Sequence, residues 1–195
     1  FRRVLFRSVG NIIEQFLIVF KVFSNSFINT DLVYLVSCLI IDLGYSINDI
    51  VIKGENCTRT AALDLYINDK LLCSYVADGL IVATPTGSTA YSLSCNGPVI
   101  APNVNAFIIN SICPYPVRTA PIVINDNCVV EISSESNNLK MVVDGKTVVD
   151  FKHGAKILLK KTANNVKFIK FENDTDNFYQ KITKKLKLWS VSYES

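Results

Sequence analysis

The densest chemistry in this 195-residue chain lies at Thr84-Pro85-Thr86-Gly87-Ser88-Thr89. Five of these six residues are glycine or small hydroxyl residues. Their hydroxyls offer many short donors and acceptors. Proline fixes the backbone, and glycine lets it bend and approach a ligand closely. Asp78-Gly79, a turn pair, comes before a short apolar strand at Leu80–Ala83, and Tyr91 follows the loop at once. These groups are the ones wanted around a ribose, a phosphate or an adenine edge.

Composition sets broad limits. The chain is 49% hydrophobic and 19% charged, enough apolar residues for a sizeable core and too many for wholesale disorder. A formal net charge of +3 is too small to indicate a nucleic-acid partner. The six cysteines (Cys38, Cys57, Cys73, Cys95, Cys113 and Cys128) form no CxxC pair, and His153 is the single histidine, so zinc-ligand spacing is absent. They read as reduced thiols packed as small apolar residues, which places the protein in the cytoplasm. Asn56-Cys57-Thr58 and Asn173-Asp174-Thr175 match the glycosylation pattern with no signal-peptide pattern beside them, and read as chance matches.

The elements that must position the loop begin around Tyr45. Asn48-Asp49 precedes a strand at Ile50–Ile52. Ala62–Ile67 alternates, Asn68-Asp69 supplies a turn, and Leu71–Val76 returns as the second arm of a hairpin. Tyr91–Leu93 opens a short helix after the loop. Ala106–Ile112 and Ile122–Ile124 read as buried strands, with Cys113-Pro114-Tyr115-Pro116 extended between them. Cys128–Ile132 and Lys140–Val143 follow, and Asp144-Gly145 turns into Lys146–Phe151. Ala155–Leu159 and Val166–Phe171 complete a series of short strands, which predicts a mainly β fold of layered antiparallel sheets, sandwich-like rather than doubly wound. A terminal helix capped by Asp174 or Thr175 places Phe178, Ile182, Leu186 and Trp189 on one face. Its lysines read as a solvated face.

Residues 1–44 have a different character. Phe1–Ser8 carries three arginines without periodicity. Asn11–Phe23 has a helix-like period, and Leu32–Ile41 could be helix or buried strand. Neither run reaches the roughly 18 apolar residues of a membrane span. A helix pair is the favoured reading of this extension, with a membrane-associated segment or a non-native leader as alternatives. The missing initial Met suits a fragment.

Residues 45–190 resemble the C-terminal domain of the NAD kinases. The resemblance rests on Ala77-Asp78-Gly79, Thr84-Pro85-Thr86-Gly87-Ser88-Thr89-Ala90-Tyr91-Ser92 and Gly97-Pro98, in order and spacing. Ile112-Cys113-Pro114, Asp144-Gly145 and the ending Phe178-Tyr179, Lys185-Leu186 and Trp189 also fit. Asn48-Asp49 stands where the family usually has Asn-Glu, one methylene longer. The family implies ATP-dependent phosphorylation of the adenosine ribose 2′-hydroxyl of NAD, giving NADP, with a divalent cation such as magnesium. It also implies a homo-oligomer assembled through the β-domain.

Carried over by motif, Asn48 and Asp49 would contact a ribose and adjacent groups. Asp78 would accept hydrogen bonds at the nicotinamide end of NAD. Thr86, Thr89 and Ala90 would line the adenine and ribose, Tyr91 would pack its ring on the ligand, and Ser94 would hydrogen-bond near the nicotinamide. The family's other signature, a Gly-Gly-Asp-Gly loop whose Asp serves the reacting hydroxyl, is not found, since no two of the eight glycines are adjacent. The 195 residues alone are therefore expected to bind NAD weakly if at all and not to turn it over. An inactive NAD-binding or oligomerising module and a lipid-kinase relative are the competing readings. The Thr-Pro-Thr-Gly-Ser-Thr-Ala-Tyr run favours an NAD enzyme over the lipid kinases.

Overall fold

Alternating and continuous apolar runs divide the strands into two kinds, and the sheets follow that division. The computed structural model describes residues 12–23, 41–55, 60–116, 119–169 and 177–186. Its strands are β1 (Ile12–Phe23), β2 (Ile41–Ser46), β3 (Asp49–Gly54), β4 (Ala61–Ile67), β5 (Lys70–Ala77), β6 (Gly79–Ala83), β7 (Ala106–Ile112), β8 (Ile122–Asn125), β9 (Val130–Ser133), β10 (Leu139–Val143), β11 (Thr147–Phe151) and β12 (Lys156–Ile169). One six-stranded sheet has the order β2-β1-β12-β9-β4-β5, and the other has the order β11-β10-β3-β6-β7-β8. The chain separates into a large unit of residues 15–166 and a small one of residues 1–14 with 167–195.

The large unit is the expected layered β structure. Between the two sheets lies a core of Ile50, Ile52, Leu80, Val82, Phe107, Ile109 and Met141 from one sheet and Leu63, Leu65, Val130, Ile132, Ile157 and Leu159 from the other. Strand β4 keeps strict alternation because only one of its faces is buried. Strands β3, β6 and β7 read as unbroken apolar runs because both of their faces are covered. Their second faces form a smaller cluster of Val51, Ile81, Ala83, Ile108 and Ile112, with Cys95, Ile100 and Val142 packed against it. Cys95 and Ile100 belong to the segment that follows the hydroxyl-rich loop. The outer face of the second sheet is therefore where that loop is seated.

The hairpin turns behave as their residues require. Asn68 and Asp69 both take positive φ, 49° and 64°, and close a two-residue loop between Ile67 and Lys70. Asp144 and Gly145 do the same at 47° and 68°, although Lys146 stays in the loop and β11 starts at Thr147.

Three elements differ from expectation. Residues 12–23, whose period favours a helix, form β1, paired antiparallel to β2 from Ile18↔Ser46 to Val22↔Ile41. A run this rich in isoleucine, valine and phenylalanine satisfies both patterns, and sheet neighbours on each side decide for the strand. Of the run Leu32–Ile41, residues 32–40 lie outside the described residues and Ile41 opens β2, and Asp174 and Thr175 also lie outside them. The two strands expected at 155–159 and 166–171 are one, β12, whose ladder partner β9 covers only Lys156–Leu159 while β1 flanks it on the other side. In the small unit, α2 (Phe178–Leu186) is capped by Asn177. Gln180 N donates to Asn177 Oδ1 at 2.9 Å, and Asn177 N donates to Gln180 Oε1 at 2.8 Å, a reciprocal capping box.

Candidate functional site

The hydroxyl-rich loop folds as a 3-10 turn, Thr86–Thr89, followed by the one-turn helix α1, Tyr91–Ser94. Most of its hydroxyls are spent on holding its own shape. Thr84 Oγ1 donates to Ile47 O, and Gly87 N donates to Thr84 Oγ1 at 3.0 Å. Ser88 Oγ donates to Pro85 O at 2.6 Å and accepts from Ile100 N at 3.1 Å. Thr84 N donates to Asn48 O at 2.9 Å. Gly87 presses against the same residue: a Cβ on it would sit 2.0 Å from Asn48 O. Glycine is required here by close approach of two backbones, not by an unusual φ.

A second clamp acts on Asn48-Asp49 from the opposite side. One Asp144 carboxylate accepts from Ser46 Oγ at 2.7 Å, Ile47 N at 3.0 Å, Asn48 N at 2.8 Å and Asp49 N at 3.2 Å. Asp144 N returns a bond to Asp49 O at 3.0 Å. Three successive amides thus converge on a single carboxylate, which fixes the backbone from which both candidate side chains project. Sequence reading treats Asp144-Gly145 as a turn and a motif match. This bridging role escapes it because the partners lie 95 to 98 residues away along the chain.

These clamps form a cavity of about 320 Å³ lined by Asn48, Asp49, Val51, Lys53, Ala90, Tyr91, Val142, Asp144 and Gly145. Asp49 is nearly buried, at 5% exposure. Burial pushes its carboxyl above the usual range, the Asp144 charge pushes it further, and a hydrogen bond from the Tyr91 backbone N–H pulls it down. Tyr91 is 40% exposed, so its ring is open to a flat ligand.

A second cavity, of about 540 Å³, lies beyond the C-terminal end of α1, lined by Ser94, Cys95, Asn96, Asn110, Ser111, Cys113, Pro114, Thr119 and Pro121. Asn110 positions this end: its Nδ2 donates to Ser92 O at 3.1 Å and Cys95 O at 2.9 Å. Asn96 takes φ +62°, and Gly97 N closes the turn on Ser92 O at 2.8 Å. Gly97 has no room for a side chain, since a Cβ would lie 2.1 Å from Ser92 Oγ. Burial and the neighbouring Cys113 push the Cys95 thiol above its usual range. Asn110 also escapes sequence reading, hidden in a strand read as wholly buried core.

Of the eight residues singled out from sequence, Asn48, Asp49, Ala90 and Tyr91 share the first cavity, and Ser94 lines the second. Thr86 and Thr89 lie in the 3-10 turn, where Thr89 Oγ1 reaches Thr86 O at 3.5 Å. Asp78 sits at the β5–β6 junction, with its N–H on Ile112 O at 2.9 Å. Neither cavity's lining includes these three.

The site is thus a clamped, hydroxyl-rich loop on a two-layer antiparallel β domain, with a cavity at each end of α1. Residues 47–171 match the family model of the ATP-NAD kinase C-terminal domain, and the chain belongs to that family. It is 39% identical over 148 residues to an NAD kinase of Chlorobaculum tepidum, covering 74% of this chain and 51% of that protein. It is 41% identical over 142 residues to a bifunctional NADP phosphatase/NAD kinase of Methanococcus maripaludis, covering 73% of this chain and 24% of that protein. The chain thus spans about half the length of most of the curated relatives it matches. In structure it is similar to yeast NADH kinase complexed with NADH, with a TM-score of 0.81 at 25% identity, covering 95% of this chain and 51% of that one. An NAD kinase from Archaeoglobus fulgidus in complex with ATP shares the fold, with a TM-score of 0.70 at 23% identity, covering 88% of this chain and 60% of that one.

Proposed function

We propose that this chain supplies the NAD-binding half of an NAD kinase, an enzyme that phosphorylates the adenosine ribose 2′-hydroxyl of NAD with ATP as donor. The observation that carries this reading is the joint placement of Asn48, Asp49, Ala90 and Tyr91 on one cavity. Asp49 and Asn48 would hold ribose hydroxyls and adjacent polar edges, an acid beside a ribose being a common way to bind its vicinal diol. Tyr91 would cover a flat face of the ligand, with Ala90, Thr86 and Thr89 bordering adenine and ribose. Ser94, on the second cavity across α1, and Asp78, at the β5–β6 junction, would serve the nicotinamide end. A dinucleotide suits two cavities on either side of a single helical turn better than a mononucleotide does.

ATP would arrive with a magnesium ion. Among the described residues no three His, Cys, Asp or Glu side chains converge as a metal-binding group. The group that would activate the hydroxyl is likewise not assigned to any of these residues. Phosphoryl transfer depends on positioning and on charge stabilisation, and this chain's part is the positioning of the acceptor.

We place the protein in the cytoplasm, supported by the free thiols of Cys73, Cys95, Cys113 and Cys128. No helix among the described residues is long and apolar enough to cross a membrane. Self-association through the β-domain is supported by the edge strand β5, with Leu71, Leu72 and Val76 exposed. The test is a titration of the 195-residue chain with NAD, followed by incubation with ATP and magnesium. Weak NAD binding that Asp49→Ala abolishes, with no NADP formed, is expected. Absence of NAD binding overturns the proposal, and NADP formation overturns the positioning-only role.

A further inference from the structure

The first cavity runs along the outer face of β3, where Asp49, Val51 and Lys53 project on the same side. Val51 and its lateral partner Val142 form an apolar floor between the two charged ends. Lys53 lies beside Gly79, and a Cβ on that glycine would come within 3.0 Å of Lys53 Cβ. The absent side chain leaves room for the lysine stem.

Three other lysines are committed to carboxylates. Lys140 is held by Glu55 at 3.0 Å and by Asp150, Lys156 by Glu131 at 2.9 Å, and Lys161 by Asp126 at 2.7 Å. The Lys53 side chain has no ion pair or hydrogen bond among the described residues, although two carboxylates line the same cavity. Both carboxylates are otherwise engaged. Asp144 is filled by one hydroxyl and three amide donors. Asp49 stands four strand residues from Lys53, about 13 Å between Cα atoms at roughly 3.3 Å per residue. An uncommitted cation therefore sits at one end of a cavity whose other end is suited to a sugar diol.

We propose that Lys53 recognises the phosphate of the bound nucleotide, making this cavity selective for a 5′-phosphorylated nucleoside or dinucleotide over the bare nucleoside. The inference rests on the reading of this cavity as the ribose-binding side of the NAD site. A nucleoside whose 2′- and 3′-hydroxyls face Asp49 carries its 5′-oxygen on the far side of the sugar ring, toward Lys53. The lysine ammonium is a compact charge on a flexible stem and suits a phosphate whose exact approach varies. Valine at 51 and 142 keeps the span between the two ends free of competing polar groups.

The experiment measures binding of adenosine, AMP and NAD to the full chain, in the native sequence and in Lys53→Gln and Lys53→Arg, with thermal melts to verify folding. The native chain should bind AMP and NAD more tightly than adenosine, with an advantage that shrinks as salt rises. Lys53→Gln should weaken AMP and NAD about tenfold, the scale of one charge-assisted hydrogen bond, and leave adenosine unchanged. Lys53→Arg should keep most of the phosphate advantage. Equal affinity of Lys53→Gln and the native chain for AMP and NAD overturns the lysine assignment alone, as does an equal loss for all three ligands. Failure of the native chain to bind any of the three overturns the ribose-site reading and this inference together.

Discussion

The two ends of α1 are built on different principles. At its start, the Asn48-Asp49 backbone is clamped from both sides, by Thr84 and Gly87 on one and by Asp144 on the other. At its finish, the chain is held by its own turn, with Gly97 N on Ser92 O, and by one side chain from a strand, Asn110, which reaches the carbonyls of Ser92 and Cys95. Ser111 and Thr119 add one hydroxyl contact across the second cavity, at 2.6 Å. The first end is therefore fixed by contacts from both flanking strands. The second has a single tether from outside its own turn, so the same helical turn joins a doubly clamped end to a singly tethered one.

Breaking the clamps should cost more than breaking the tether. Gly87→Ala forces a methyl group into the Asn48 carbonyl and should destabilise the chain by about 3 kcal/mol, read by urea denaturation, with loss of NAD binding in whatever folds. Asp144→Ala strands three amides and should cost about 2–3 kcal/mol. Asn110→Ala leaves two carbonyls without their donor and should cost about 1–2 kcal/mol. It should also weaken NAD more than adenosine, because only the dinucleotide would engage the second cavity. Losses in the reverse order would remove the distinction between the two ends.

Two smaller effects sharpen the comparison. The Asp49 carboxyl is pushed up in the fold, so its ionised form disfavours the folded state relative to its protonated form. Its stabilising contribution is complete below the unfolded carboxylate range and is lost as pH rises through its folded value. Asp49→Asn should therefore raise the melting temperature at neutral pH while weakening ribose binding. In the native chain, NAD affinity should fall with acidification at a higher pH than an ordinary aspartate would give. At the other end, the buried Ser92 hydroxyl has no hydrogen-bond partner among the described residues. Ser92→Ala should be neutral or stabilising by up to about 1 kcal/mol, measured by the same denaturation curves.

Much of the strand framework was legible because its signals are local. Asn68-Asp69 and Asp144-Gly145 carry the turn chemistry in their own residue types, and alternation in β4 reports its one buried face. Strand β1 was not legible, because Ile12–Phe23 fits a helical period and only its sheet neighbours select the extended form. At the site, the loop and Tyr91 stood out by composition. Asp144, Asn110 and Lys53 did not, because each acts through partners or a cavity assembled from distant strands. The hydroxyls first read as ligand groups are largely used inside the loop: Thr84 and Ser88 hold Ile47, Gly87, Pro85 and Ile100. The residues that line the first cavity are consequently Asn48, Asp49, Ala90 and Tyr91 more than the loop that first drew attention.

The most direct test is a map of amide chemical-shift changes on the full chain titrated with NAD. A dinucleotide site spanning both ends of α1 predicts shifts at Asn48, Asp49, Ala90 and Tyr91 and also at Ser94–Asn96, with adenosine reproducing only the first group. Shifts confined to other surfaces, or no shifts at millimolar NAD, would contradict it.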